Sequence, residues 1–375
     1  MKQNATLFRH SLPRMLLLTL LAISILIPAQ AAPPAFETEV IATGLERPWD
    51  LAQLPDGSLL FTQRGGALSV LREGQVQHIA DIPGVAARGE GGLTGLALDT
   101  DFADNRLIYL AYNTQIEGAP EVRVTRWRLS ETLTLEDPVD IVTGIPAVSG
   151  GRHSGTQLEM GKDGTLFIGT GDAATANNPQ DPMSLGGKIL RVTRDGVPAE
   201  GNLPAPFDPR VFSYGHRNTQ GLTLFDTPDE HGSWGYSAEH GSWQEDEVNQ
   251  LVPGNFGWAP HPTYDESVPM TDTRRFPDAV VAVWNSGPST IATSGLTRLL
   301  GTHWGDWDGA LALGVQKGQH LRLLRLDEGR VAEEAVLFEG EFGRLRAAVL
   351  GQDGMLYLGT DNGRDDKIIR VTPAQ

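Results

Sequence analysis

The chain contains no cysteine. That excludes thiolate catalysis, iron–sulfur clusters, covalent haem attachment and disulfide support, so stability must come from the core alone. Basic residues are in short supply, 30 Lys and Arg against 47 Asp and Glu, for a formal charge of −17. A surface of that sign repels nucleic acid and anionic membranes, and any anionic ligand must be met by a local cluster of cations. The acids are interspersed rather than blocked, which reads as a solubilising surface. Long apolar runs are also missing, with one exception from Met15 to Ile27, preceded by Lys2, Arg9 and Arg14 and followed by Pro28-Ala29-Gln30-Ala31. The run is shorter than the ~20 apolar residues of a membrane span. Its cationic head and small-x-small end instead predict a cleaved export signal over Met1 to Ala31, a periplasmic protein and no membrane insertion of the mature chain. Losing the three cations takes the formal charge from −17 to −20.

Catalytic signatures with a fixed spacing are absent as well. There is no HExxH, no GxSxG elbow, no Walker loop and no strand-linked GxGxxG, so zinc proteolysis, serine esterase chemistry and nicotinamide binding through those motifs have no support. After the leader no long helical period and no low-complexity linker occurs, and one domain over residues 32–375 is expected.

Turns and strands are what the sequence has in quantity, with 44 glycines and 24 prolines. LPDGSLLFTQR from Leu54, GKDGTLFIGTGD from Gly161 and GQDGMLYLGTDNG from Gly351 each join an Asp-Gly turn to an alternating apolar strand. DNRLIYLAY from Asp104, HGSWGYSAE from His231 and WDGALALGV from Trp307 keep the same order in weaker form. Further strands follow at Ala67, Arg123, Lys188, His320 and Lys367. The six turn markers, Gly57, Asn105, Gly164, Gly232, Gly309 and Gly354, are 48, 59, 68, 77 and 45 residues apart. Each interval is long enough for a four-stranded antiparallel unit. A unit of that kind cannot bury both faces until neighbours stack on it, which predicts an all-β, six-bladed β-propeller rather than a sandwich or barrel. Long loops, notably 177–209 and 258–275, are expected to shape the mouth of the central channel.

The richest polar stretch is GGRHSGTQLEMGKDGTLFIGTGD, in which His153 precedes one strand and Asp172 ends the next. Read from the residues alone, the two form either a general base with its orienting carboxylate or a structural hydrogen-bonded pair. VFSYGHRNTQG places Arg217 and Asn218 between glycines, and YSAEHGSWQEDEVN presents the backbone carbonyls of Gly241 and Ser242. His216, His231, His240, His261, His303 and His320 lack metal-ligand spacing and are expected in surface or turn roles. Glu245-Asp246-Glu247 reads as a solvated loop, Asp361 to Asp366 as a turn, and Trp304 and Trp307 as blade packing.

The ordered succession ERPWDLAQLPDG, GEGGLTGLALDTDF, the His153 segment, LGGKILRV, SYGHRNTQG, EHGSWQEDEVNQLVPGNFGW and RLRAAVLGQDGMLYLGTD resembles the glucose/sorbosone dehydrogenase family, and within it the soluble aldose sugar dehydrogenases. The resemblance implies a six-bladed propeller that oxidises aldoses to lactones with pyrroloquinoline quinone (PQQ) and Ca2+, passing electrons to a soluble acceptor, as a monomer or homodimer. It implies His153 as base, Asp172 as its orienting carboxylate, and Arg217 and Asn218 beside the cofactor. It further implies Gly241 and Ser242 as main-chain calcium ligands, Lys317, Arg344 and Arg346 as partners of the cofactor's carboxylates, and Glu90 and Trp284 as lining residues. Gln157, Ser242, Thr219, Glu90 and Ala347 depart from the family pattern, and none of these changes deletes an implied ligand side chain. Four cations, Arg217, Lys317, Arg344 and Arg346, match what a planar tricarboxylate requires on an acidic protein. A non-catalytic propeller binding a glycan or protein would be expected to lose the base or the cations, and all are present. A propeller lactonase would need a carboxylate metal cage that the sequence does not supply.

Overall fold

The computed structural model describes Met1, Ala29–Gln30 and residues 35–374. The expected leader therefore lies mostly outside the described residues; of it, β1 (Ala29–Gln30) pairs in parallel with Glu333–Glu334. After β2 (Phe36–Leu45) the chain forms successive four-stranded antiparallel sheets. The first comprises β3 (Pro48–Gln53), β4 (Leu59–Gln63), β5 (Ala67–Arg72) and β6 (Gln75–Asp81). The second comprises β7 (Leu93–Leu98), β8 (Leu107–Ile116), β9 (Ala119–Leu129) and β10 (Leu135–Pro146). The third holds β11 (Gly155–Met160), β12 (Thr165–Thr170), β13 (Lys188–Thr193) and β14 (Val211–Tyr214). The fourth holds β15 (Thr219–Leu224), β16 (Gly235–Glu239), β17 (Glu247–Gln250) and the two-residue β18 (Trp284–Asn285). In the fifth are β19 (Thr293–Arg298), β20 (Leu311–Val315), β21 (His320–Asp327) and β22 (Arg330–Leu337). The sixth is β23 (Leu345–Leu350), β24 (Leu356–Thr360) and β25 (Asp366–Pro373), completed by β2, whose Phe36 pairs with Pro373. This is the expected six-bladed propeller, closed by a strand from the opposite end of the chain.

All six turn markers fall between the first and second strand of their blades, as the repeated sequence idea requires. The turn chemistry is local. Asp56 Oδ1 accepts Ser58 N at 3.0 Å, Asp163 Oδ1 accepts Thr165 N at 3.0 Å and Asp353 Oδ1 accepts Met355 N at 3.0 Å, while the glycine between takes φ of +84°, +77° and +78°. Apolar side chains from the strands collect in six clusters, one for each adjacent pair of blades, so no blade has a core of its own. Trp304 and Trp307 belong to the cluster between blades five and six, as expected.

The first strands β3, β7, β11, β15, β19 and β23 pack against one another in that order around the axis. Their approach is close: a Cβ on Gly95 would lie 2.6 Å from Thr156 O, and one on Gly221 would lie 2.5 Å from Ser294 O. Every one of the six shifts register within its first few residues, at the same end of the ring. Irregularities of this kind re-aim the side chains beside them, and at this end the polar residues gather.

Candidate active site

His153 and Asp172 belong to blade three, one just before its first strand and the other just after its second. The strand pairing that places Gly155 opposite Thr170 therefore brings them face to face, with His153 Nδ1 2.8 Å from Asp172 Oδ1. Both are buried, and Asp172 is 0% exposed. The carboxylate is held on every side. Ala174 N donates to Oδ1 at 2.7 Å, Trp258 Nε1 to Oδ2 at 2.8 Å, and the Tyr264 hydroxyl lies 2.9 Å from Oδ2 and 2.7 Å from His153 Nδ1. Each of these donors satisfies a lone pair of the buried carboxylate. Its hydrogen bond assigns the Nδ1 proton, and His153 Nε2 has no partner among the described residues.

The loop over residues 173–187 is pinned from below by Lys188, whose ammonium donates to the carbonyls of Asn178 (2.5 Å), Pro179 (3.1 Å) and Gly186 (2.9 Å). Its burial, without a close carboxylate partner, pushes Lys188 down to about 7. Asn178 in turn donates to Asp172 O at 2.9 Å, which ties this support to the dyad.

Blade four supplies the next segment. Glu239, at the end of β16, accepts Arg217 N at 2.9 Å, and the Arg217 side chain donates to His240 O at 3.1 Å and to Glu266 Oε1 at 2.6 Å. Asn218 accepts Gly155 N at 3.0 Å and donates to Glu90 Oε2 at 3.1 Å, and Glu90 also accepts His153 N at 3.1 Å. Glu90 thus ties His153 to Asn218, and Arg217 joins them through its carbonyl, which accepts Asp172 N at 2.8 Å. Gly241 sits in a turn so tight that a Cβ would run into Gln244 O. The fold of that turn comes from Asp246, fully buried, which accepts Gly241 N (2.8 Å), Ile291 N (2.6 Å) and Ala292 N (2.7 Å). The carbonyls of Gly241 and Ser242 take no hydrogen bond among the described residues.

Blades five and six complete the face. Lys317 is exposed and donates to Thr290 Oγ1 at 3.1 Å. Arg344 bonds Gln316 and lies 3.9 Å from Asp361. Arg346 is 1% exposed, donates to Gln220 Oε1 at 2.6 Å, and lies 4.3 Å above the Trp49 ring. Burial pushes its guanidinium down to about 10. Gln220 donates to Asn218 Oδ1 at 3.0 Å, which joins Arg346 to the cluster around His153.

Trp284 is a correction. It lies in β18, the outermost strand of its blade, donates to Glu334 Oε2 at 3.3 Å and carries Arg322 5.3 Å over its ring. A last strand is the farthest from the axis, so this side chain belongs to the outer wall between blades four and five. The structure also moves residues inward. His216 is fully buried, Asp246 and Glu247 are buried rather than solvated, and His240 faces Arg217, Arg346 and His153. Burial and the two guanidiniums push His240 down to about 3. Trp258, Tyr264, Glu266, His240 and Lys188 were not singled out as site residues in the sequence. His240 stands among the histidines read as surface or turn residues, and Tyr264 and Glu266 carry no local signal.

Among the described residues no three His, Asp or Glu side chains gather in metal-binding geometry, and no helix is long and apolar enough to cross a membrane. A family model for glucose/sorbosone dehydrogenases matches residues 45–370. The chain is 33% identical to the uncharacterised protein slr1608 of Synechocystis, over 88% of this chain and 85% of that one. It is 30% identical to the aldose sugar dehydrogenase YliI of Escherichia coli, over 92% and 94%. The PQQ-bound aldose sugar dehydrogenase of Streptomyces coelicolor superposes with a TM-score of 0.75 at 31% identity, over 91% of this chain and 99% of that one.

Proposed function

Because the chain belongs to the glucose/sorbosone dehydrogenase family, we propose that it oxidises aldose sugars at C1 to lactones, with His153 as base and calcium-bound PQQ as hydride acceptor. One observation carries the reading: among the described residues His153 has its Nδ1 fixed by a buried carboxylate and its Nε2 free, near buried polar atoms that lack partners. Those atoms are Arg217 Nε, Arg346 Nε and His240 Nε2. Orphaned buried donors are costly, which favours a polar group that would satisfy them.

The residues fit the cofactor. Arg217, Arg344, Arg346 and Lys317 would hold an anionic planar molecule, with Asn218 and Glu90 at the base side. The carbonyls of Gly241 and Ser242 are the hard oxygen donors that calcium takes. Two such donors are an incomplete shell, in keeping with an ion that shares its remaining sites with cofactor and water. When bound, the quinone supplies the electrophilic carbon that accepts a hydride, made more electrophilic by the ion.

His153 accepts the proton of the anomeric hydroxyl at Nε2, and Asp172 stabilises the imidazolium so formed. Arg217, bonded to Glu266 and to His240 O, holds the wall opposite the base. The expected export, the periplasmic location and a soluble acceptor belong to the same proposal. The test is dye reduction by aldoses with ligand-free protein, given calcium and PQQ separately and together. Activity should need both, and His153→Ala should lose at least about a hundredfold in turnover while still binding PQQ. Unchanged turnover in that variant would refute the base.

A further inference from the structure

We propose that Tyr264 is a positioning residue for the His153–Asp172 pair, its phenol sharing the Nδ1 proton and bracing the carboxylate beside the imidazole. The inference rests on the reading of His153 as the base. Tyr264 reaches the pair from the 258–275 loop, a segment of blade four, and its hydroxyl oxygen is 2.7 Å from His153 Nδ1, 2.9 Å from Asp172 Oδ2 and 3.1 Å from Asp172 Oδ1.

Counting protons fixes the roles. Ala174 N and Trp258 Nε1 can only donate, and both donate to Asp172. If Tyr264 gave its proton to Nδ1, that nitrogen would face Asp172 Oδ1 at 2.8 Å with no proton between two acceptors. The arrangement that satisfies every atom has Tyr264 donating to Asp172 and Nδ1–H donating to both oxygens. Nε2 is then the free lone pair, the atom from which a base must act. Burial and the nearby Asp172 charge raise the phenol, so it remains a donor.

The phenol is held firmly enough to impose this. Tyr264 has φ of +58°, Asp265 N donates to Pro260 O at 2.8 Å, and Glu266, two residues on, pairs with Arg217 at 2.6 Å and Arg152 at 2.8 Å. The Arg152 guanidinium also lies 5.6 Å over the Tyr264 ring. The charged and titratable groups facing His153 are therefore Glu90, Arg152, Asp172, Arg217, His240, Tyr264 and Glu266. Of these, Tyr264 alone is bonded to both members of the pair.

Tyr264→Phe keeps the ring and removes the donor. With one donor fewer, Asp172 pulls harder on the imidazolium, so the His153 titration, read by imidazole NMR in the ligand-free protein, should move to higher pH by about half a unit to one unit. In the PQQ- and calcium-loaded enzyme the acid limb of the pH profile should move the same way, and kcat should fall about tenfold with the sugar KM within about twofold. In an Asp172→Asn background the Tyr264→Phe shift should vanish. A titration that does not move in Tyr264→Phe, or that moves equally with Asp172→Asn present, overturns the proposal. Because the NMR titration needs neither cofactor nor sugar, it decides the role of Tyr264 even if no aldose is oxidised.

Discussion

Two carboxyl groups line the axis of the ring, away from the dyad. Asp50 is 3% exposed and accepts Leu96 N at 2.9 Å and Gln157 Nε2 at 2.8 Å, and Glu159 faces the same cavity of about 100 Å³. Burial pushes Asp50 up to about 7, and burial together with the Asp50 charge pushes Glu159 up to about 8. Between its ordinary value near 4.5 and about 8, the folded chain keeps a proton on Glu159 that the unfolded chain has lost. Stability from this group is therefore full at low pH and falls as pH rises through that window. Glu159→Gln should match the parent in thermal unfolding near pH 4 and exceed it by about 2–4 °C at pH 8.5. An equal difference at both pH values would show that the carboxyl does not titrate there.

The first strand of each blade couples the axis to the site. Gly221 lies in β15, three residues after Asn218, where its backbone passes against Ser294 and Leu296 of the next blade. Gly221→Ala should cost about 1–3 kcal/mol in urea unfolding through overpacking, and should disturb the Asn218 and Arg217 signals more than those of Lys317. A cost within error would mean that the first strands have room to spread. These elements also mark how far the sequence could be read. The Asp-Gly turns were legible because each is built within five residues by an Asx bond and a left-handed glycine, and all six markers fell in equivalent turns. The third strand of blade four and the closing strand β2 were not, since EVNQ is short and mostly buried and β2 finds its partner 320 or more residues away. At the site, His153, Asp172, Arg217 and the carbonyl turn stood in glycine-rich motifs. Tyr264 and Glu266 stood in a loop whose path depends on Arg152, Arg217 and Asp172 in three dimensions, which no spacing encodes.

Over the whole molecule, the acidic balance and the cationic site make one electrostatic design. The chain carries −17, and at one end of the ring Arg47, Arg64, Arg217, Lys317, Arg344 and Arg346 gather, interleaved with carboxylates that include Glu90, Asp172, Glu266 and Asp361. Arg64 and Arg346 lie over the same Trp49 ring, at 5.9 and 4.3 Å, which draws two guanidiniums together despite their repulsion. If the proposed cofactor binds, these guanidiniums are the partners its carboxylates would meet on a chain whose net charge otherwise repels anions. Blades one, four, five and six supply these cations and blade three the His153–Asp172 pair, so the residues come together only when β2 closes the circle against β25.

The most direct measurement is calorimetric titration of PQQ into the ligand-free protein, in calcium and again in excess chelator, with Arg346→Met alongside. One molecule should bind per chain in calcium, with affinity falling at least about tenfold in chelator and by a similar factor in Arg346→Met. No uptake in calcium buffer, or uptake indifferent to both changes, would contradict the account.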